Sequence, residues 1–328
     1  MEKKYNWAIL SAARIANKFA DGLKELPDAN RYAVAARSLE RAEVFKETHG
    51  FEKAYGSYEE MLADPNVDVV YVATTNNLHF KHTMMCLEAG KAVLCEKPFA
   101  SDLEQVKQMI AKAKEKKVFL MEALWSRFLP DMMQFKTEVA NGIIGKPSLF
   151  QCNHGFVAPF NPSHRAYNPE LGGGSIPDIG IYAIFMPLYL FGKPESIQVT
   201  AVPAPTGTDW TTAILFKHKG GEISVLTSSF QLNLSNDAIL HGDGGQLKLH
   251  AMFHCPTKLT FQKNNGREVE KEVEIPIQSV GNGYNYEAAE VMACLEKGVL
   301  ESPNMSWQFS LDLMDILDEV VRKAEESY

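Results

Sequence analysis

The sequence predicts an α/β chain of two domains. Residues 1–124 read as a doubly wound parallel sheet, and residues 125–328 as an α+β domain on a large, open, mostly antiparallel sheet. Three observations carry this expectation. The chain has 328 residues, more than one hydrophobic core usually serves. Up to about residue 124, short apolar runs alternate with segments of helical spacing. After Lys146 the period changes, and segments of alternating polarity dominate.

The bulk numbers bound the function. With 45% hydrophobic and 23% charged residues, the composition is that of a folded soluble protein. A net charge of -8 without any Lys/Arg block argues against nucleic acid or an anionic membrane as partner. Five scattered cysteines, at 86, 95, 152, 255 and 294, form no CxxC pair, so reduced thiols are expected and no disulfide framework or zinc site. No apolar h-region follows the first residues and no apolar run approaches the ~18 residues of a membrane span, so a cytoplasmic protein is expected.

Trp7-Ala8-Ile9-Leu10 reads as a buried strand running into a helix with apolar residues at Ile15, Phe19 and Leu23. A dinucleotide fingerprint would sit at this turn, where small residues permit a tight bend, approach to the pyrophosphate and close helix packing. The three fingerprint positions hold Ser11, Ala13 and Ala16, all small and none glycine, with Arg14 and Ile15 beside them. Taken alone, this is a plain strand-to-helix connection. The next strand, Tyr32 to Ala36, ends at Arg37-Ser38. In a doubly wound nucleotide-binding sheet an acidic residue there binds a ribose 2′-hydroxyl, whereas Arg accommodates a 2′-phosphate. Arg37, with Ser38 and with Arg41 one helical turn on, therefore points to NADP(H) over NAD(H), unless Arg37 is simply an exposed strand-end arginine.

Ala54-Tyr55 and a helix Tyr58 to Ala63 precede Val67 to Ala73, apolar almost throughout as buried parallel strands are. This strand opens into Thr74-Thr75-Asn76-Asn77-Leu78-His79, a polar loop suited to cofactor contact through Thr74, Asn76 and His79. His79 and His82 lie three apart without a third ligand, and ordinary helix surface is the expected reading rather than a metal pair. After Gly90 the strand Ala92 to Cys95 stops at Glu96-Lys97-Pro98, delivering a cation to a strand end, where ligands of open α/β sheets bind. The tripeptide alone would pass for a solvated turn. A helix Leu103 to Lys116 and a strand Val118 to Met121 complete six strands.

In the second domain the strands expected are Leu149–His154, Ser196–Val202, Thr211–Phe216, Glu222–Thr227, Ala238–His241, Gln246–Leu249, Lys258–Gln262 and Glu268–Ile275, with hairpin turns at 218–221 and 264–266. Gly172-Gly173-Gly174 precede an apolar helix, but the Lys-Ser/Thr of a phosphate loop is missing. They read as close backbone approach to a ligand or to the other domain. Asp178 and Tyr182, four apart, should share a helix face, either as a site or as a core Tyr with a capping Asp. The final helices, Tyr284 to Lys297 and Ser306 to Glu326, are expected to return to the first domain.

These pieces together resemble the glucose-fructose oxidoreductase/inositol dehydrogenase/MocA family along nearly the whole chain. The resemblance rests on Trp7-Ala-Ile-Leu10 with its small-residue turn, Ala73-Thr-Thr-Asn-Asn-Leu-His79, Ala89-Gly-Lys-Ala-Val-Leu-Cys-Glu-Lys-Pro98 and Asp178-Ile-Gly-Ile-Tyr182. The stretches 121–130, 168–174 and 301–303 are most similar to the dimeric dihydrodiol dehydrogenase/D-xylose 1-dehydrogenase branch.

The resemblance implies a Rossmann domain binding NADP(H) or NAD(H), with Glu96 and Lys97 among the cofactor-binding residues. It also implies Lys97 and Tyr182 as the catalytic pair, and Asp178 as an orienting or substrate residue. Trp125, Arg127 and Arg165 become substrate-pocket residues. Ala13 departs from the glycine expected there, so its methyl would crowd the pyrophosphate. The reaction implied is hydride transfer to or from a carbinol carbon of a sugar or cyclic diol. A phenol titrates at ~10 when unperturbed, so Tyr182 as base needs the Lys97 ammonium beside it. The alternatives are a reductase of another sugar carbonyl, an anhydro-sugar or keto-inositol, and a non-catalytic cofactor-binding sensor. An open sheet needing cover, like the resemblance, implies a homodimer or a dimer of dimers through the second domain.

Overall fold

In a computed structural model of the chain, which describes residues 4–265, 268–277 and 279–328, two compact units are distinguished. One comprises Met1–Phe128 and Val280–Leu311, the other Leu129–Ser279 and Asp312–Tyr328.

The first unit is built on a parallel sheet of β1 (Tyr5–Leu10), β2 (Ala29–Ala35), β3 (Lys53–Tyr55), β4 (Val69–Val72), β5 (Ala92–Glu96) and β6 (Leu120–Ala123), in the order β3-β2-β1-β4-β5-β6. The connecting helices are α1 (Arg14–Leu23), α2 (Leu39–His49), α3 (Tyr58–Ala63), α4 (His79–Glu88) and α5 (Leu103–Lys116). This is the doubly wound sheet expected. β4 is buried at every position because strands flank it on both sides and helices cover parallel sheets on both faces. Phe19 of α1 stacks on Tyr71 of β4 at 3.7 Å between ring centroids and lies 5.4 Å from Trp7. Truncating such a buried ring to Ala costs about 3–5 kcal/mol.

Register positions the site. Leu10 lies beside Ala35 and Val72, Val72 beside Cys95, and Cys95 beside Glu122, so the strands end level. The segments leaving them, at Ser11, Ala36, Ala73, Lys97 and Leu124, form one row at the carboxyl edge. The order reverses between β1 and β4, which is the switch point where open sheets of this kind bind ligands.

The second unit begins with α6 (Pro130–Ala140) and β7 (Pro147–Gly155). It continues with α7 (Ile181–Phe191), β8 (Ser196–Pro203), β9 (Asp209–Lys217), β10 (Ile223–Ser229), β11 (Ala238–Gly242), β12 (Gly245–Leu249), β13 (Leu259–Asn265) and β14 (Glu268–Ile275). Among the described residues these strands form an eight-stranded sheet, β14-β13-β12-β11-β7-β10-β9-β8, antiparallel except where β7 pairs with β10. Alternation decides the faces. In β9, Ile214 and Phe216 are buried while Ala213 and Leu215 are exposed. The turn at 218–221 joins β9 to β10 as expected, with Gly221 at φ +95°. Gly266 of the other expected turn lies outside the described residues.

Of the last helices, α8 (Tyr284–Glu296) belongs to the first unit. α9 (Trp307–Glu326) starts there and from Asp312 belongs to the second. Where a cut after Leu124 was expected, the first unit runs on to Phe128. The reason is local: Trp125 stacks on Tyr284 of α8 at 4.6 Å, within 11° of parallel. The segment Pro169–Phe191 is long and apolar enough to cross a membrane by composition, contrary to the sequence expectation. However, 78% of its most apolar window is buried inside the protein, as in a core helix.

Candidate active site

At the end of β1, Ser11 takes φ +90°, a region that a residue with a Cβ enters at a cost of about 1–2 kcal/mol. Its N–H donates to the Ala35 carbonyl at 3.0 Å, and Ala13 N–H donates back to the Ser11 carbonyl at 2.8 Å. The serine thus occupies a conformation that glycine holds without strain. Ala13 itself is extended, at φ -85° and ψ 171°, so its backbone does not require glycine. Ala13 caps α1 without any side-chain hydrogen bond, which leaves the first-turn N–H groups near Arg14 and Ile15 to an anion.

From α2, Arg41 donates to the Ala12 carbonyl at 3.3 Å, which brings a guanidinium to the same turn. Arg37 is exposed at the end of β2, and Ser38 begins α2 with no side-chain cap bond. An uncapped helix start with two arginines beside it is a donor set that fits the phosphates of a dinucleotide. Thr74 and Asn76 follow β4, and Asn76 opens a 3₁₀ turn, Asn76–Leu78.

His79 and His82, expected on the helix surface, are both buried, at 1% and 5% exposure. The His79 ring bridges two strand ends. Its Nδ1 lies 2.7 Å from the Pro98 carbonyl oxygen and its Nε2 3.1 Å from that of Thr74. His82 Nδ1 lies 3.1 Å from Thr74 Oγ1, and its ring meets the Tyr58 ring edge-on at 5.0 Å. Burial pushes both imidazoles down to about 4, so both are neutral near pH 7. We assign the Nδ1 proton of His79 to the shorter contact. Among the described residues no group of three His, Cys, Asp or Glu could hold a metal.

Glu96 ends β5 and is buried. It accepts from the Tyr71 hydroxyl on one oxygen and from the Lys97 N–H, at 3.1 Å, on the other. A glutamate expected beside the cofactor therefore holds the backbone at Lys97. The Lys97–Pro98 peptide is cis. Just beyond it, Phe99 N–H donates at 3.1 Å to Glu122, whose carboxyl burial pushes up to about 7. Lys97 itself is half-buried. Trp125 and Arg127 lie in a 3₁₀ turn of the same unit, with the Arg127 guanidinium 5.7 Å from the Phe309 ring centroid.

In the second unit, Asp178 lies in a π-helical turn, Ile176–Gly180, and Tyr182 in the first turn of α7. The widened turn, rather than a regular α-helical step of four, relates the two residues; such turns are frequent at functional sites. Arg165 Nη2 stands 3.1 Å from Asp178 Oδ2. Gly173 and Gly174 pack closely within their own unit. A Cβ on Gly173 would meet the Asn168 carbonyl at 2.8 Å, and one on Gly174 would collide with Asp209.

Two histidines that the sequence reading passed over enclose Tyr182. The His254 ring lies 4.9 Å from it and 4.5 Å from His154, whose Nδ1 is 3.2 Å from the Ile179 carbonyl oxygen. Only His154 carried a signal, as an inward position of alternating β7. His254 lies in an irregular segment with none. The structure thus collects Ser11, Ala13, Arg14, Ile15, Arg41, Thr74 and His79 around one sheet edge with Lys97. It collects Arg165, Asp178 and Tyr182 in the other unit.

Known proteins share this architecture. The model of an oxidoreductase family with an NAD-binding Rossmann fold matches residues 5–124, and that of the GFO/IDH/MocA C-terminal domain matches residues 132–248. The trans-1,2-dihydrobenzene-1,2-diol dehydrogenase of Danio rerio is 38% identical over 98% of this chain and 97% of its own. That of Mus musculus is 40% identical over 97% of this chain and 96% of its own. The aldose-aldose oxidoreductase of Caulobacter crescentus superposes with a TM-score of 0.88 at 23% identity, covering 99% of both chains. A 3-ketoreductase of Actinomadura kijaniata, solved with NADP, gives 0.88 at 24% over 98% of both. At these identities the solved structures establish a shared fold.

Proposed function

Because the chain belongs to the GFO/IDH/MocA oxidoreductase family, we propose that it is an NADP-preferring dehydrogenase. It oxidises a CH–OH carbon of a small vicinal diol or sugar, of the trans-dihydrodiol or D-xylose type, and catalyses the reverse reduction. The oxidoreductase class follows from the family and from relatives near 38% identity over nearly the full chain. The feature that carries the cofactor preference is Arg37 at the end of β2, where an acidic residue would select NAD, with Arg41 of α2 reaching the Ala12 carbonyl at the neighbouring turn. The bound nicotinamide supplies the hydride chemistry.

The chain's own residues handle position and protons. Tyr182 takes the hydroxyl proton of the substrate during oxidation, and Lys97 provides the positive charge that favours a phenolate. Glu96, tied to Tyr71, holds the backbone from which Lys97 projects. Asp178 accepts a second substrate hydroxyl and is itself held by Arg165. Trp125 and Arg127 line the substrate side.

The protein works as a homodimer through the second unit. On the outward face of its sheet Leu215, Val225 and Ile223 are 38%, 40% and 42% exposed, and Leu215 and Val225 are paired neighbours. Its cysteines are free and four of the five are buried, in keeping with a cytoplasmic setting.

The test is a panel of trans-dihydrodiols, aldoses and inositols assayed with NADP and with NAD, alongside fluorescence titration with NADPH and NADH. Turnover of a diol or aldose with NADP preferred is expected. Failure to bind either reduced cofactor would remove the enzyme reading.

A further inference from the structure

Asp209, the first residue of β9, is buried at 6% exposure beneath the turn that carries Asp178. Its Oδ2 accepts from Ser175 Oγ at 2.5 Å and from Ile176 N–H at 2.9 Å, with Thr212 Oγ1 at 3.4 Å. Ser175 Oγ is also 2.8 Å from Ser228 Oγ of β10. Gly174, at φ +125°, leaves the space that Asp209 Oδ1 fills. At the far end of the turn, His154 meets the Ile179 carbonyl, and a Cβ on Gly180 would press on Ser228 at 3.1 Å.

We propose that Asp209 is a positioning residue: as a carboxylate it pins the start of the π-turn and so holds Asp178 and Tyr182 in their working geometry. The inference rests on the proposed roles of those two residues. Its physical basis is donor counting. Two or three donors converge on one oxygen, and each bond to a charged carboxylate is roughly twice as strong as the same bond to the neutral oxygen of an acid or amide, whose other atom is in addition a donor. Burial pushes the Asp209 carboxyl up to about 6, against the hydrogen bonds that lower it, so the pin weakens as the medium turns mildly acidic. The ionisable groups on elements packed around it are Asp178 in the turn, His154 of β7 and Tyr328. The Tyr328 phenol is pushed up to about 12, first by burial and then by the charge of Asp209.

The experiment compares wild type and Asp209→Asn, both shown to be folded by thermal melting, between about pH 5 and about pH 8. It reads kcat and, independently of activity, the fluorescence of Trp210 beside Asp209, with Trp210→Phe to assign the signal. Wild type should show an acid limb and a fluorescence transition, both with a midpoint near 6. Asp209→Asn should show neither, and its kcat near pH 8 should fall at least about tenfold. If the amide variant does not fold, Ser175→Ala serves: losing one donor should move both midpoints upward. A wild type without the fluorescence transition, or a variant with unchanged kcat and limb, overturns the proposal. A limb arising from His154 or His254 would persist in Asp209→Asn. If the fluorescence transition behaves as expected while Lys97→Met and Tyr182→Phe stay active, the pin stands and the catalytic reading fails instead.

Discussion

His79 Nδ1 stands 2.7 Å from the carbonyl oxygen of Pro98, which ties the helix after β4 to the backbone just beyond Lys97. A free imidazole titrates near ~6.5, whereas burial holds this one at about 4. Between those values the unfolded chain binds a proton that the folded one refuses. Stability is therefore fully present above pH ~6.5 and is lost as pH falls towards about 4, with His82 contributing in the same window. His79→Leu, which leaves the buried Pro98 carbonyl without its donor, should cost about 1–3 kcal/mol at neutral pH and flatten part of that dependence. Urea unfolding from mildly acidic to neutral pH checks both, and an unchanged midpoint at every pH would contradict the bridging role.

Arg37 should set cofactor choice. Arg37→Asp removes a forked donor and adds repulsion toward a 2′-phosphate, so kcat/KM with NADPH should drop about 10–100-fold, a loss of about 1.4–2.8 kcal/mol. The value with NADH should hold or improve. Equal losses with both cofactors would show that Arg37 serves the fold or the pyrophosphate instead.

The outward sheet face should be sensitive to charge. Leu215 and Val225 face each other across β9 and β10, so Leu215→Lys with Val225→Lys places two cations opposite one another on a face that a partner would cover. Sedimentation should show wild type as a dimer and the double variant as a monomer, with each still folded. A monomeric wild type at micromolar concentration would refute the dimer.

Much of the architecture was legible because period and composition are local. The continuous apolar run at Val67–Ala73 marks a strand buried on both faces, and β14 begins and ends where alternation places it. The row of strand-end residues from Ser11 to Lys97 followed once the alternating order was read. The polar partners of the site were less accessible. Tyr71 reaches Glu96 across 25 positions through the pairing of β4 with β5, and Asp209 reaches Ser175 across 34 because the start of the π-turn packs on β9, contacts that only the tertiary fold creates. His79 and His82 looked like surface because their burial depends on the Pro98 and Thr74 loops folding over α4. Trp125 read as second-domain because its stacking partner, Tyr284, is supplied by a helix more than a hundred residues on.

The central claim, proton transfer by Tyr182 assisted by Lys97, is tested most directly by kcat for Lys97→Met and Tyr182→Phe on a verified substrate, with NADPH affinity measured in parallel. Each substitution should lower kcat by about 10²–10⁴, while Tyr182→Phe leaves cofactor binding within about twofold of wild type. Near wild-type turnover by both variants would contradict it.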